Sequence, residues 1–576
     1  MNLSQIDWAV IGFYFLFSLI IGILSARKAG KDSRSFFLAG GEMPWWLLGI
    51  SMVATTFSTD TPNLVTDLVR QNGVSGNWVW WSFLLTGMLT VFVYAKLWHR
   101  SGVLTDVEFY EIRYGGKPAA FLRAFRAIYL GLIFNVLVMG SVSLAAIKFG
   151  EIILGWPGWL TMSIACSVTL LYSTLGGLRA IIVTDFFQFI LAMIGSIWGC
   201  IYILNLESIG GVKNLIQHQK VIGKISILPD FSNPDIWVPI LFIPLAVQWW
   251  ASYYPGSEPG GGGYIAQRML SAKDEKNAIG ASLLFNIAHY AIRPWPWILI
   301  ALSSLIIFPE LSDIRDKFPE ISENKIGHDI AYPAMLTLLP PGLLGLVSAS
   351  LIAAFMSTMS TQVNLGASYL VNDFYHRFID PNSTEKKLVF IGRIFTVFSI
   401  ILGAVTGLIL TNAEQAFSLL LLLGSGTGLI YILRWFWWRI SAFTEIIAMV
   451  SSLFIATYLN FFNEGMLGWE KIVVGASLTT FIWVSATFFA PPEKKEILEK
   501  FVNKINPGGP GWKQYTVLDN NKWSVPNSIL LMFLGTILVF SVLLGLGNII
   551  YSKFLLGVIL FFIGCMSAIG IFKLWK

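Results

Sequence analysis

Residues 47–69, LLGISMVATTFSTDTPNLVTDLV, decide the fold. Two apolar runs flank STDTPN, which holds Asp60 and Pro62. Neither run alone crosses a bilayer, but the pair is long enough to do so. Lipid cannot satisfy free backbone groups, so backbone unwound at that depth must line a protein-walled cavity. The stretch reads as a spanning helix broken near its middle. Residues 236–268, IWVPILFIPLAVQWWASYYPGSEPGGGGYIAQR, read the same way, with Glu258 beside a run of four glycines. A phosphate loop needs a preceding strand, a following helix and usually a Lys with Ser or Thr. None is present, so the glycines read as a hinge, where their backbone freedom permits an unwound turn.

Around these breaks the chain is membrane-like throughout. Its 576 residues are 55% hydrophobic and only 12% charged, half the charge of a soluble domain. We count about fifteen spans, at 7–26, 44–69, 77–99, 120–150, 157–175, 179–204, 235–268, 275–308, 342–376, 386–411, 414–437, 440–461, 470–490, 526–548 and 553–574. The net charge of +6 sits in connectors and does not indicate nucleic acid. Cys166, Cys200 and Cys565 lie in apolar runs, away from any CxxC or His, which argues against disulfide and zinc frameworks. Every second connector is basic: Arg27 to Arg34, Arg100 to Arg126, Arg268 to Lys276, Arg377 to Lys387, Arg434 to Arg439, and KKEILEKFVNK. By the positive-inside rule these face the cytoplasm, with the amino terminus outside and the carboxyl terminus inside. Lys213, Lys220, Lys224 and Lys553 run against that count.

The two breaks lie five spans apart and their helices run in opposite directions. Two inverted five-helix units, each opening with a broken helix, are a secondary-transporter architecture. The expected organisation is a leading helix at 1–30, a first repeat at 40–205, a second at 235–440, and accessory helices at 440–576.

Four features carry candidate chemistry. On SASLIAAFMSTMSTQVN (348–364), Ala354, Ser357, Ser360, Thr361 and Asn364 share one helical face, with Thr358 beside it. This is either a small-residue packing stripe or a set of hydroxyls for sodium, completed by freed carbonyls between Ala54 and Phe57. Asp185, inside the sixth span, is a functional carboxylate by position or a partner of Arg179. Asp60, at the first break, either accepts hydrogen bonds from unwound backbone or meets a solute donor. Arg293 and His289 lie about midway along the eighth span, where an arginine must face a cavity or a carboxylate. Arg293 either pairs with Glu258 or Asp60, or binds an anionic solute group. Tyr253 and Tyr254 precede the glycines and suit stacking on a sugar.

The segments YSTLGGLRAIIVTDFFQF (172–189), YIAQRMLSAKDE (264–275) and LLPPGLLGLVSASLIAAFMSTMSTQVNLGASYLVNDFY (338–375) resemble the sodium:solute symporter family, which holds the sodium–glucose, sodium–galactose, proline and sialic acid symporters. The resemblance runs over roughly residues 1–440. It implies an all-α polytopic membrane protein with a LeuT-type 5+5 inverted repeat, one extra N-terminal helix and about four extra C-terminal helices. It implies a first sodium site on the carbonyls of Ala54, Phe57 and Ala354 and the hydroxyls of Ser357 and Thr358. A second site, found in some members, falls on Ser357, Ser360, Thr361 and Asp185, so two sodium ions per cycle are expected.

The solute positions of the sugar-binding members do not carry over. The third span, WVWWSFLLTG, has no carboxylate, Thr61 stands where a Gln would, and the Lys of the eighth span falls near His289. Nor does LIFNVLVMG hold the arginine of the sialic acid transporters. The solute-cavity candidates are Thr56, Asp60, Thr61, Tyr253, Tyr254, Glu258, His289 and Arg293. The expected function is sodium-coupled import of a small polar solute, a sugar or sugar-like compound first, an anionic solute such as sialic acid, a carboxylate or an amino acid second. The expected protein is a lipid-embedded monomer in a bacterial inner membrane, with no nucleic-acid partner and no metal beyond sodium. A passive channel and a solute sensor are the rivals from other classes; no HExxH, Walker motif or nucleophile elbow supports an enzyme.

Overall fold

The computed structural model describes residues 3–29, 32–250, 259–319, 321, 323–410, 424, 426–463, 465–515 and 523–575. Among the described residues every extended regular element is a helix, and ten helices are long and apolar enough to cross a membrane. Counting the two broken helices, the leading helix and the segment before Gly177, the spans fall where the sequence placed them. The expected span at 414–437 is described only in part, because residues 411–423 and 425 lie outside the described residues.

The leading helix α1 (Gln5–Ala29) is followed by the two halves of the first broken helix, α2 (Trp45–Thr55) and α3 (Asp60–Asn72). Then come α4 (Val74–Ser101) and α5 (Gly116–Leu154). The expected spans at 157–175 and 179–204 form one helical run, α6 (Gly158–Leu204), turned at Gly177 with φ 54°. Only glycine takes that angle without strain, so this residue separates the two spans. The second broken helix comprises α7 (Pro234–Ala246) and α8 (Gly263–Leu270). Next are α9 (Glu275–Ile307), α10 (Leu343–Ile379) and α11 (Glu385–Ile409). Residues 426–433 are helical. The accessory part holds α12 (Ala442–Phe461), α13 (Gly468–Phe489), the amphipathic α14 (Lys495–Ile505), α15 (Val525–Ile550) and α16 (Phe554–Leu574).

The opposed directions of the broken helices are visible where they meet. Met43, just before α2, forms an isolated bridge with Ala272, just after α8. Met43 N donates to Ser271 O at 3.0 Å and Lys273 N to Met43 O at 3.2 Å. One broken helix therefore leaves the side of the molecule to which the other arrives, as an inverted repeat requires.

Of the ten long apolar helices, α4 and α10 are the most enclosed and α16 the least. The periphery leaves large apolar side chains such as Phe481, Phe489, Leu555 and Phe572 exposed, a surface that suits lipid. Helix α10 begins at Gly342 without a side-chain cap of its own. Its free N–H groups are met by Asp7 of α1, whose Oδ1 accepts from Gly342 N at 2.7 Å and Gly345 N at 2.6 Å.

Four arginines of the basic connectors are enclosed instead of facing water. Arg113, Arg126, Arg268 and Arg434 are each at most 5% exposed. Arg113 donates to the carbonyls of Arg434, Trp437 and Ile440, and so satisfies helix-end oxygens inside the protein.

Candidate functional site

The hydroxyl stripe of α10 lies against the first break. Thr358 Oγ1 donates to Thr55 O at 2.9 Å, with Ala354 O 3.3 Å away. Phe57 N turns back to Ala54 O at 3.1 Å. Ala54, Phe57, Ala354, Ser357 and Thr358 are all buried, so the residues expected at the first sodium site come from two elements in contact. Their oxygens are two hydroxyls, the Phe57 carbonyl at the unwound turn and the Ala54 and Ala354 carbonyls of the flanking helices, hard and uncharged donors that fit sodium.

Ser357 turns toward α6. Its hydroxyl donates to Asp185 Oδ1 at 2.6 Å, and Ser51 of α2 donates to Oδ2 at 2.5 Å. The cation beside Asp185 is Arg268, not Arg179, with Nη2 3.7 Å from Oδ2 and both side chains fully enclosed. Arg268 Nε donates to Ser51 Oγ at 3.2 Å, Nη2 to Thr361 Oγ1 at 2.7 Å, and Nη1 to Gln267 Oε1 at 2.7 Å. Thr55 and Thr361 hydroxyls are 3.1 Å apart. Of the second expected group, Ser357 meets Asp185 directly and Thr361 joins it through Arg268. Ser360 donates instead to Ser357 O of its own helix, at 3.0 Å.

The solute candidates converge on Thr56. Its hydroxyl donates to Val53 O at 2.7 Å, and His289 Nδ1 and Arg293 Nη1 lie 3.0 and 3.1 Å from it. A hydroxyl has one hydrogen and two lone pairs. With the hydrogen turned to Val53 O, the hydroxyl lone pairs face Arg293 and the His289 ring nitrogen. Arg293 also reaches Val53 O at 3.3 Å and lies 5.3 Å over the Trp297 ring, which stacks on Phe57. Thr61 Oγ1 is 3.3 Å from Thr56 O and 3.4 Å from Asp60 Oδ1, and it accepts from Ser58 N. The polar break is thus largely satisfied by its own hydroxyls. Tyr253, Tyr254 and Glu258 lie outside the described residues, and with them the expected pair of Glu258 and Arg293.

Sequence reasoning missed Ser51, Arg268 and Trp80. Ser51 stands one turn before Thr55 on the same face of α2, a readable signal. Arg268 reads as a connector charge, although it sits inside the apolar YIAQRML. Trp80 packs edge-on against His289 and stacks on Tyr290. Ser58 Oγ, Asn135 Oδ1 and Gln362 Nε2 are buried with no hydrogen-bond partner among the described residues.

Residues 36–456 match the sodium:solute symporter family. The sodium/glucose cotransporter of Vibrio parahaemolyticus is 26% identical, over 81% of this chain and 87% of its own length. The mouse sodium/myo-inositol cotransporter 2 is 26% identical, over 76% of this chain and 67% of its own. A solved structure of a substrate-bound, outward-open Na+-coupled sialic acid symporter superposes with a TM-score of 0.68 at 18% identity, over 85% of this chain and 99% of that one. That likeness shows a shared LeuT-type fold. The chain belongs to the sodium:solute symporter family: it is a multi-pass membrane transporter coupled to sodium, not an enzyme.

Proposed function

We propose that the chain imports a small neutral polar solute, a sugar or sugar-like polyol, with two sodium ions per cycle, by alternating access. The observation that carries this reading is the divergence of two adjacent hydroxyls. Thr358 bonds the carbonyl of the broken helix, and Ser357 bonds the enclosed Asp185. One turn of α10 therefore serves two oxygen clusters. The first ion takes the carbonyls of Ala54, Phe57 and Ala354 with Ser357 and Thr358. The second takes Asp185, Ser357, Ser360 and Thr361, and shares Asp185 with Arg268. Sodium at the first cluster orders the turn at 54–57, and the solute beside it gains affinity in the same proportion.

The helix ends support a neutral solute. In such folds the positive N-termini of half-helices often meet an anionic substrate group. Here Asp60 stands in the first turn of α3, and Asp106 Oδ2 accepts from Gly263 N at the start of α8. Arg293 meets Val53 O near the carbonyl end of α2. The protein supplies its own charge at each of these ends. The unspent donor and acceptor atoms of Ser58, Asn135 and Gln362 suit a polyhydroxylated ligand. The relatives named for glucose and myo-inositol support the same class. The exposed Lys117, Lys273, Lys276, Arg377, Lys386 and Lys387 still favour a cytoplasmic face for their connectors once the enclosed arginines are set aside.

The test is uptake into proteoliposomes under an inward sodium gradient, with labelled glucose, myo-inositol and sialic acid. Sodium-dependent uptake of a neutral compound is expected. Ser357→Ala with Thr358→Ala raises the sodium half-saturation at least about tenfold, the loss of roughly 1.4 kcal/mol. Asp185→Asn lowers the sodium Hill coefficient. Transport of sialic acid alone overturns the neutral reading, and an unchanged Hill coefficient overturns the second ion.

A further inference from the structure

The connector between α4 and α5 enters the helical body and ends on the glycine break. Asp106, on this connector, is 6% exposed. Its Oδ2 accepts from Gly263 N at 2.8 Å, and its Oδ1 accepts from the Tyr369 hydroxyl at 2.6 Å. Gly263 opens α8. Tyr369 lies on α10, about two turns beyond Thr361. One carboxylate therefore joins the second half of a broken helix to the helix that carries the hydroxyl stripe. Its negative charge at the start of α8 also meets the positive helix end.

Neighbouring bonds reinforce this link. Thr105 donates to Asp373 Oδ2 of α10 at 2.6 Å, and Arg123 of α5 lies 2.7 Å from the same carboxylate. Trp98 Nε1 donates to Gly260 O at 2.9 Å, which holds the break from the α4 side. Gly260 and Gly261 have φ of 84° and 89°. Those positive angles, which side chains rarely adopt, are what make glycine necessary at this seating.

The connector is itself held by the chain that follows the repeats. The Arg113 guanidinium is ringed by Tyr114, Phe501 and Trp512 while it donates to the carbonyls at 434–440. Tyr114 donates to Glu445 Oε1 at 2.5 Å, and Gly115 N donates to Glu493 Oε2 at 3.0 Å.

We propose that Asp106 is the latch that holds the basic-connector end of the transport path shut. It is a positioning residue that ties α8 to α10, and the contacts of the connector with 434–440, Glu445, Glu493, Phe501 and Trp512 are the frame that keeps it in register. When the path opens at this end, α8 moves away from α10, and the Asp106 bonds to Gly263 and Tyr369 cannot both persist. The inference rests on alternating access, which saturable sodium-dependent uptake by the unaltered protein tests separately.

The latch is tested by sodium leak and by labelling of α8. Ala266→Cys is introduced with Cys565→Ser, and its reaction with a membrane-impermeant maleimide is timed from the basic-connector side. Radiolabelled sodium efflux is measured without solute. Asp106→Asn is expected to raise labelling and leak about tenfold, since it weakens a charge-assisted link. Tyr369→Phe gives a smaller rise because the Gly263 bond remains, and Asp106→Glu restores part of the loss. Labelling and leak equal to the unaltered protein in folded Asp106→Asn overturn the proposal. So does a lowered melting temperature with no change in either rate. If Asp106→Asn does not fold, Tyr369→Phe and Trp98→Phe carry the same test, and unchanged rates in both overturn it.

Discussion

Asp185 and Arg268 form a fully enclosed ion pair whose remaining hydrogen-bond capacity is met by Ser51, Ser357, Thr361 and Gln267. Such a pair adds little net stability, because desolvation cancels much of the attraction. Removing one partner is different, since it strands the other charge. Arg268→Gln is expected to lower stability by about 3–5 kcal/mol. Asp185→Asn with Arg268→Gln together should lose clearly less than the sum of the two single changes. Thermal or denaturant unfolding in detergent measures this, and strict additivity would show that the two groups are not coupled. Asp185 was legible because a carboxylate inside a span is costly wherever it occurs. Its partner was not, because Arg268 is 83 residues distant and no local pattern announces a contact across helices.

The elements most readable in advance were the broken helices. Their signal is local: polar and glycine-rich stretches inside apolar runs, in a medium that tolerates neither. The end of α10 shows what local signals leave out. Its first turn follows Gly342, and its cap is Asp7, from a helix outside the two repeats. Asp7 also accepts from Ser4 N at 2.9 Å, so its oxygens are committed. Tyr14 extends the same contact, as it accepts from Gln188 Nε2 at 2.7 Å and approaches the Met356 sulfur at 3.7 Å. The leading helix thus seats the helix that carries Ser357 and Thr358. Asp7→Asn keeps the shape and removes the charge, and should cost about 1–2 kcal/mol. A melting temperature equal to that of the unaltered protein would remove this cap from the account. Asp7→Glu should recover part of the loss.

At the scale of the whole molecule, the connector surface is held by ion pairs as well as by the latch. Glu111 receives Arg123 at 2.7 Å and Arg377 at 3.0 Å, and so joins the α4–α5 connector to α5 and to the end of α10. Burial works to raise the Glu111 pKa, yet the two guanidiniums hold it below the ordinary glutamate value. A lowered carboxylate pKa contributes stability that is complete above the unfolded pKa and is lost as pH falls through the folded one. Stability should therefore be flat near neutrality and fall below about pH 4.3, the ordinary glutamate value. Glu111→Gln should flatten part of that fall. Melting curves from pH 7 to pH 3 test this, and identical slopes for both proteins would exclude a Glu111 contribution.

Sequence alone determined the membrane class, the positions of the spans, the two breaks and the hydroxyl stripe. Each follows from a medium that punishes unpaired backbone and charge, and so writes its demands into consecutive residues. Tertiary structure alone decided which residues meet. It placed Arg268 on Asp185, gathered His289 and Arg293 on Thr56, set Asp7 at the head of α10, and brought Asp106 to the glycine break. Those contacts join residues far apart along the chain, and burial of their charges is tolerable only once the fold has assembled every partner.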